Sequence, residues 1–252
     1  MTGTFMDGML NRMKISFLLL SCMFFMSCPI LAAVIDSSNN ETAIYPELPQ
    51  RAASSIGFVP EGWKLEKELR DDLNGDGIMD LVVLLRKLQE PDLLKKTATA
   101  EFDSFDTKPR ILAAALGSPA ESGFTLVMQN HTLIPLHDSP VMSDPFSKLT
   151  LKRGVMKITL ESWASMGSWY SSNITFTFRY RDNCFKLIGY DRYELHRGSG
   201  REVETSINFQ TGRKNVSSGL ADKKHRIKSS RFQRSPLSCI EKVGEGFAFE
   251  AP

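Results

Sequence analysis

Apolar residues along much of this chain recur at every second position over short runs. Met156, Ile158 and Leu160 form one such set, Ile174, Phe176, Phe178 and Tyr180 another, and Val203, Thr205, Ile207 and Phe209 a third. This period places one set of side chains on one face of a β-strand. Elsewhere the apolar residues are continuous, as in Leu81-Val82-Val83-Leu84-Leu85, and rich in branched side chains that favour strands. The pattern predicts strands near positions 64–70, 79–86, 110–116, 124–128, 131–136, 149–151, 155–160, 173–181, 185–190 and 203–209, with tight turns at Arg153-Gly154 and at Arg181-Asp182-Asn183. No segment has convincing amphipathic helical spacing. The expected fold is therefore all-β, of mostly antiparallel sheets arranged as a sandwich or a partial propeller. The absence of a blade-length repeat argues against a full propeller. Positions 34–58 read as a linker, with polar Ser37-Ser38-Asn39-Asn40, helix- and strand-breaking Pro46 and Pro49, and a brief helix at 48–55. The charged stretch at 88–106 reads as an excursion between strands.

Between the first two predicted strands lies Asp72-Leu73-Asn74-Gly75-Asp76-Gly77-Ile78-Met79-Asp80. Oxygen-bearing side chains recur there at alternate positions, the spacing by which a short backbone wraps a hard cation. Asp72, Asn74 and Asp76 would supply side-chain oxygens and Ile78 its carbonyl, and Asp80 would close the shell directly or through water. Gly77 sits where the chain turns sharply. Three carboxylates so close together repel one another without a cation. The expected cofactor is Ca2+, with a structural role: holding strands 63–70 and 79–86 in register. An EF-hand would need a carboxylate at the twelfth position, which is Val83, and a helix after it. A loop that ends at its ninth residue and enters a strand instead looks like the FG-GAP/VCBS loops of integrin-type propellers.

Composition changes this picture little: 252 residues, 42% hydrophobic and 24% charged, suit one sizeable globular domain or two small ones. A net charge of +2 implies no whole-protein attraction to nucleic acid or membrane. The amino terminus adds a compartment. Arg12 and Lys14 precede an apolar stretch at 15–26, and the small residues Ala32 and Ala33 follow, as in an export signal covering 1–33. The stretch is short for a membrane span and Pro29 interrupts it. Cys28 after Ser27 offers lipid attachment as the alternative, although Phe25 and Met26 match a lipid-attachment box poorly. Cleavage at Ala33 leaves Cys184 and Cys239, an even pair in an exported chain, and oxidising compartments favour their disulfide. That bridge would tie a basic extension at 215–252 back to a calcium-binding β-domain at 59–214.

Several segments together resemble a family of exported bacterial proteins with one FG-GAP-like loop. They are Val59-Pro60-Glu61-Gly62-Trp63, the loop itself, Asp144-Pro145-Phe146, Gly167-Ser168-Trp169, Phe178-Arg179-Tyr180, Leu187-Ile188-Gly189-Tyr190-Asp191 and Ser206-Ile207-Asn208-Phe209-Gln210-Thr211-Gly212. The likeness covers positions 57–214 and carries no assigned activity. The loop and all-β character are also similar to periplasmic inhibitors of peptidoglycan hydrolases.

Motifs of known catalysts are missing: there is no H-E-x-x-H, no G-x-S-x-G and no phosphate-binding glycine loop. His131 and His137 lie six apart with Pro135 between them, and read as surface or turn residues. Glu161, Asp191 and Glu194 read as structural or surface carboxylates. Trp163, Trp169, Tyr170, Tyr180, Tyr190 and Tyr193 enrich one region in aromatics; Phe176, Phe178 and Tyr180 belong to the core, while Trp169 and Tyr170 sit on a turn-like segment and are the candidate partner-binding surface. The cations from Arg213 to Arg234 have one acid, Asp222, among them and one aromatic, Phe232. Those charges suit a solvated tail or an anionic polymer, but not nucleic acid. These features point to a non-catalytic binding protein of the cell envelope whose partner is an envelope protein or a cell-wall polymer. The alternatives are a cell-wall hydrolase and a structural lipoprotein.

Overall fold

The computed structural model describes residues 45–88, 109–118 and 123–252. They belong to one compact unit, Ala43–Pro252. The export signal, Cys28, the first part of the linker and most of the charged excursion lie outside the described residues.

The strands are β1 (Arg51–Ala52), β2 (Trp63–Asp71), β3 (Asp80–Lys87), β4 (Arg110–Ser118), β5 (Gly123–Asn130), β6 (Phe146–Lys152), β7 (Val155–Ser162), β8 (Tyr170–Arg181), β9 (Cys184–His196), β10 (Arg201–Asn208), β11 (Arg213–Leu220) and β12 (Arg226–Arg231). They form a five-stranded sheet ordered β1-β5-β4-β3-β2 and a seven-stranded sheet ordered β12-β11-β10-β9-β8-β7-β6, antiparallel throughout. The fold is all-β and does not close into a barrel. No helix among the described residues is long and apolar enough to cross a membrane. Two hairpin turns use left-handed backbone: Arg153-Gly154 joins β6 to β7, and Asp182-Asn183 joins β8 to β9.

One core fills the space between the sheets. Val82 and Leu84 of β3 and Leu112 and Ala114 of β4 meet Met156, Ile158 and Leu160 of β7, Phe176 and Phe178 of β8, and Tyr190 of β9. The odd-numbered neighbours in β3 and β4 point the other way. Val83, Leu85, Ile111 and Ala113 pack under Leu48 and Trp63, while Leu81 and Ala115 pack under Phe58. Both faces of β3 are thus covered, which explains an apolar run without alternation.

That cover corrects the reading of 34–58 as linker. From Tyr45 onward the segment is structured: Leu48 and Phe58 are buried, β1 pairs with β5, and the expected brief helix is a strand followed by a 3-10 turn at Ser55–Phe58. Prolines end regular structure without preventing packing. The expected strand at 131–136 is also absent. Leu133 and Ile134 are buried from a loop, shaped by Asn130 Oδ1, which accepts the N–H groups of Thr132 and Leu133.

The largest correction concerns the C-terminus. A boundary at 214 cuts through β11, and the basic stretch supplies β11 and β12 of the larger sheet. Beyond it, Ile240 and Val243 are buried in the core, and Phe249 meets Phe176, Tyr190 and Phe209 at ring distances of 5.4, 5.3 and 6.5 Å. The Cys184–Cys239 disulfide anchors this segment to β9, with Cα atoms 5.8 Å apart. At Gly246 the chain passes so close to the core that a Cβ would stand 2.2 Å from Leu160 Cδ1.

Candidate metal centre and exposed surfaces

The loop at 72–80 joins β2 to β3, and its side chains curl it from within. Asp72 accepts the N–H of Gly75 at 2.7 Å and of Gly77 at 2.9 Å. Asn74 Oδ1 accepts Asp76 N–H at 3.0 Å, and Asp76 Oδ1 accepts Ile78 N–H at 2.7 Å. Gly75 and Gly77 take φ of +87° and +83°, which side chains with a Cβ resist. The two N–H donors, Gly77 ahead of Gly75, hold the exposed Asp72 carboxyl below its ordinary range.

Asp80 behaves differently. It is fully buried, and its oxygens accept Leu73 N–H at 2.7 Å and, across to β4, Gly117 N–H at 2.8 Å. Burial raises its pKa, the two hydrogen bonds offset part of that, and repulsion from Asp76 and Asp72 adds to it; the net direction is up. Asp80 is therefore a clamp joining the loop to two strands. Each of its oxygens still has a second lone pair.

Two further contacts fix the loop's base. Gly154 N–H donates to Asp71 Oδ2 at 3.1 Å, and a Cβ at 154 would stand 2.9 Å from the Asp72 carbonyl, so the β6–β7 turn abuts the loop. At the opposite end of the β2–β3 hairpin, Arg110 of β4 is almost wholly buried between two carboxylates. It reaches Glu66 of β2 at 2.7 Å and Asp144 at 2.6 Å, and its guanidinium lies 5.1 Å from the Phe146 ring centroid. Burial alone would raise the Asp144 carboxyl; hydrogen bonds from Arg110 and from Phe146 N–H outweigh it, and the net direction is down.

The donor set of Asp72, Asn74, Asp76, the Ile78 carbonyl and Asp80 is all oxygen, the chemistry Ca2+ selects. The three carboxylates are not gathered within 4.8 Å of one another. Among the described residues the set that is so gathered is Cys184, Cys239 and Glu241, whose sulfurs are bonded to each other. Asp72, Asn74 and Asp76 are held by hydrogen bonds within the loop. Calcium would draw the three carboxylates together against their mutual repulsion.

The candidate partner surface is exposed. Trp169 is 66% and Tyr170 56% accessible, with Met166 at 56% beside them in sequence. Arg197 organises this ledge: its N–H donates to Trp169 O at 2.8 Å, its guanidinium to Ala164 O at 2.7 Å and Ser168 O at 2.5 Å, and it lies 5.3 Å from the Trp163 ring centroid. Trp169 rests over Gly198, and Tyr170 meets His196 edge-on at 4.8 Å.

The histidines do not form a metal pair. His131 stacks on Tyr45 at 4.2 Å, and His137 Nε2 lies 2.8 Å from Met142 O. The carboxylates Asp191, Glu194 and Glu161 also separate. Asp191 accepts from Ser206 at 2.6 Å, Glu194 pairs with Arg192 at 2.6 Å on the opposite face of β9, and Glu161 lines a cleft near Glu245.

One constellation escapes the sequence because its members come from four places. Tyr193 OH donates to Glu202 Oε1 at 2.7 Å, Glu202 Oε2 lies 3.3 Å from His225 Nε2, and His225 Nδ1 lies 3.2 Å from Ser217 Oγ. Leu220 O also faces Nε2 at 3.2 Å. With two acceptors at Nε2, the ring proton of neutral His225 belongs there, and Nδ1 accepts from Ser217. The Glu202 carboxylate raises the Tyr193 phenol to about 12. Ser217 and Tyr193 line a groove of about 440 Å³ on the outward face of the larger sheet. Ser217 sits mid-strand, paired on both sides, so its backbone N–H belongs to the ladder and offers no oxyanion donor. The register of β9, β10 and β11, with the β11–β12 connection that carries His225, brings these residues together. No protein-family model, curated protein or solved structure matches this chain.

Proposed function

We propose that this is an exported, non-catalytic binding protein of the cell envelope, with a Ca2+-stabilised loop at 72–80. In its sharper form, it inhibits a peptidoglycan hydrolase. The observation that carries the binding reading is the exposed ledge of Trp169 and Tyr170. Large exposed aromatics held rigid by a central arginine lose little entropy on docking, which is the character of interface anchors. Calcium would supply positive charge among Asp72, Asp76 and Asp80 and draw these carboxylates together against their mutual repulsion.

The test is capture from envelope extract in millimolar calcium, beside a turbidity assay of peptidoglycan hydrolysis. The wild-type protein should retain a partner and slow lysis. Trp169→Ala with Tyr170→Ala should lose both effects while keeping the melting temperature. A double variant that captures and inhibits as well as wild type would overturn the reading.

A further inference from the structure

Among the described residues the two sheets have four edges, β1, β2, β6 and β12. Three of these are blunted. β1 is two residues long, and the chain before it covers β5 through Gln129, which donates to Pro46 O at 2.7 Å and accepts Leu48 N–H at 3.0 Å. β2 carries a bulge between Leu65 and Lys67, and β6 one between Phe146 and Lys148. Bulges and short lengths are how sheets block further pairing. β12 has neither protection. It pairs with β11 in unbroken register from Arg226 to Arg231, and all six residues are exposed.

The register shows which backbone groups are open. Phe232 N–H donates to Gly212 O at 2.9 Å, which marks a hydrogen-bonded pair. Hydrogen-bonded and non-hydrogen-bonded pairs alternate in an antiparallel ladder. The pairs Lys214↔Ser230, Val216↔Lys228 and Ser218↔Arg226 are therefore bonded to β11. Ile227, Ser229 and Arg231 turn their N–H and C=O groups to the free edge.

Charge defines what can occupy that edge. Arg226 and Lys228 lie on one face with Lys214, and Arg231 lies on the other with Arg213. A second copy of β12 would set these cations against each other, so self-pairing is disfavoured. An extended acidic strand would pair with them instead. Ile227, 70% exposed, offers an apolar contact on the opposite face from Arg226 and Lys228.

We propose that β12 is a docking edge for an extended protein segment that alternates acidic and apolar residues. Such a segment would add as an eighth strand of the larger sheet, with its carboxylates beside Arg226 and Lys228 and its apolar side chains beside Ile227. This rests on the reading of the molecule as a binding protein and names the chemistry of a partner; it requires neither the calcium loop nor the aromatic ledge.

The probe is the blocked hexapeptide Val-Glu-Val-Glu-Val-Glu, titrated into the isotope-labelled protein, with a heparin fragment as a polyanion of no strand-forming capacity. The expected result is saturable peptide binding that protects the Ile227, Ser229 and Arg231 amides from exchange. Ser229→Pro removes an outward N–H without breaking a bond to β11, and should weaken the peptide about tenfold, the equivalent of about 1.4 kcal/mol, while leaving heparin unaffected. Arg226→Glu with Lys228→Glu alters side chains only and should weaken both ligands. Peptide binding equal in wild type and Ser229→Pro, or no amide protection, would overturn the docking edge and leave a plain basic patch. If peptide binding fails while envelope capture through Trp169 persists, the edge is wrong and the binding reading stands; if both fail, both fall.

Discussion

Asp80 offers the sharpest separation of a structural role from a metal-binding one. In Asp80→Asn the side chain keeps its shape but can accept only one of the two N–H groups now tied to it. The other, from Leu73 or Gly117, would face an amide NH2 in a site from which water is excluded. Orphaning a buried donor costs about 1–3 kcal/mol. Removing the charge relieves the burial penalty and the repulsion from Asp76 and Asp72, which offsets part of that cost. The net expectation is a loss of about 2 kcal/mol for Asn and about 3–4 kcal/mol for Ala, which also vacates volume. For a domain of this size that is ~4–8 °C in Tm for the Asn variant. Urea unfolding in chelator, without calcium, is the assay. A clamp predicts that the loss is already present there. A cost below about 0.5 kcal/mol in chelator, appearing only when calcium is added, would refute the clamp and make Asp80 a ligand alone.

Other outcomes follow from the same geometry. Arg110→Met leaves Glu66 and Asp144 without their shared cation; because both carboxylates are part-exposed and can rehydrate, the loss should sit at the lower end for buried pairs, about 3 kcal/mol by urea unfolding. The depressed Asp144 carboxyl contributes stability that is present above the unfolded pKa near 4 and is lost as pH falls through the lower folded value, so an acid titration of stability should flatten in Arg110→Met. Cys239→Ser opens a loop of sequence separation 55, which the chain-entropy model sets at up to about 4 kcal/mol, and should increase dye binding as Phe247 and Phe249 loosen from the core. Gly154→Ala should destabilise the loop base, since the added carbon meets the Asp72 carbonyl at 2.9 Å in a backbone that already has φ of +68°.

The alternating runs of β7, β8 and β10 were readable because one face of each meets a core and the other meets water. The Asp182-Asn183 turn was readable because few residues accept left-handed backbone. The N-terminal cover was not, because Tyr45, Leu48 and Phe58 pack singly from irregular chain, with no period to detect. β11 and β12 were hidden for a related reason: Val216 and Ile227 are nearly their only apolar side chains, and these strands form by extending the ladder of β10. In the candidate metal loop, residue types and spacing pointed to the oxygens of Asp72, Asn74 and Asp76. The burial of Asp80 depends on its pairing across to Gly117, 37 residues away, which no local pattern carries.

On the proposal that the 72–80 loop binds calcium, the β2–β3 pairing gains stability from the ion. Thermal unfolding of the protein with chelator and with calcium, beside Asp76→Ala, tests it most directly. With a Kd near 10⁻⁴ M, about 10 mM calcium should add roughly 2–3 kcal/mol, or ~5–10 °C in Tm, to the wild-type protein and little to the variant. Identical melting curves for both proteins in chelator and in calcium would contradict the claim and leave the loop as a hydrogen-bonded turn.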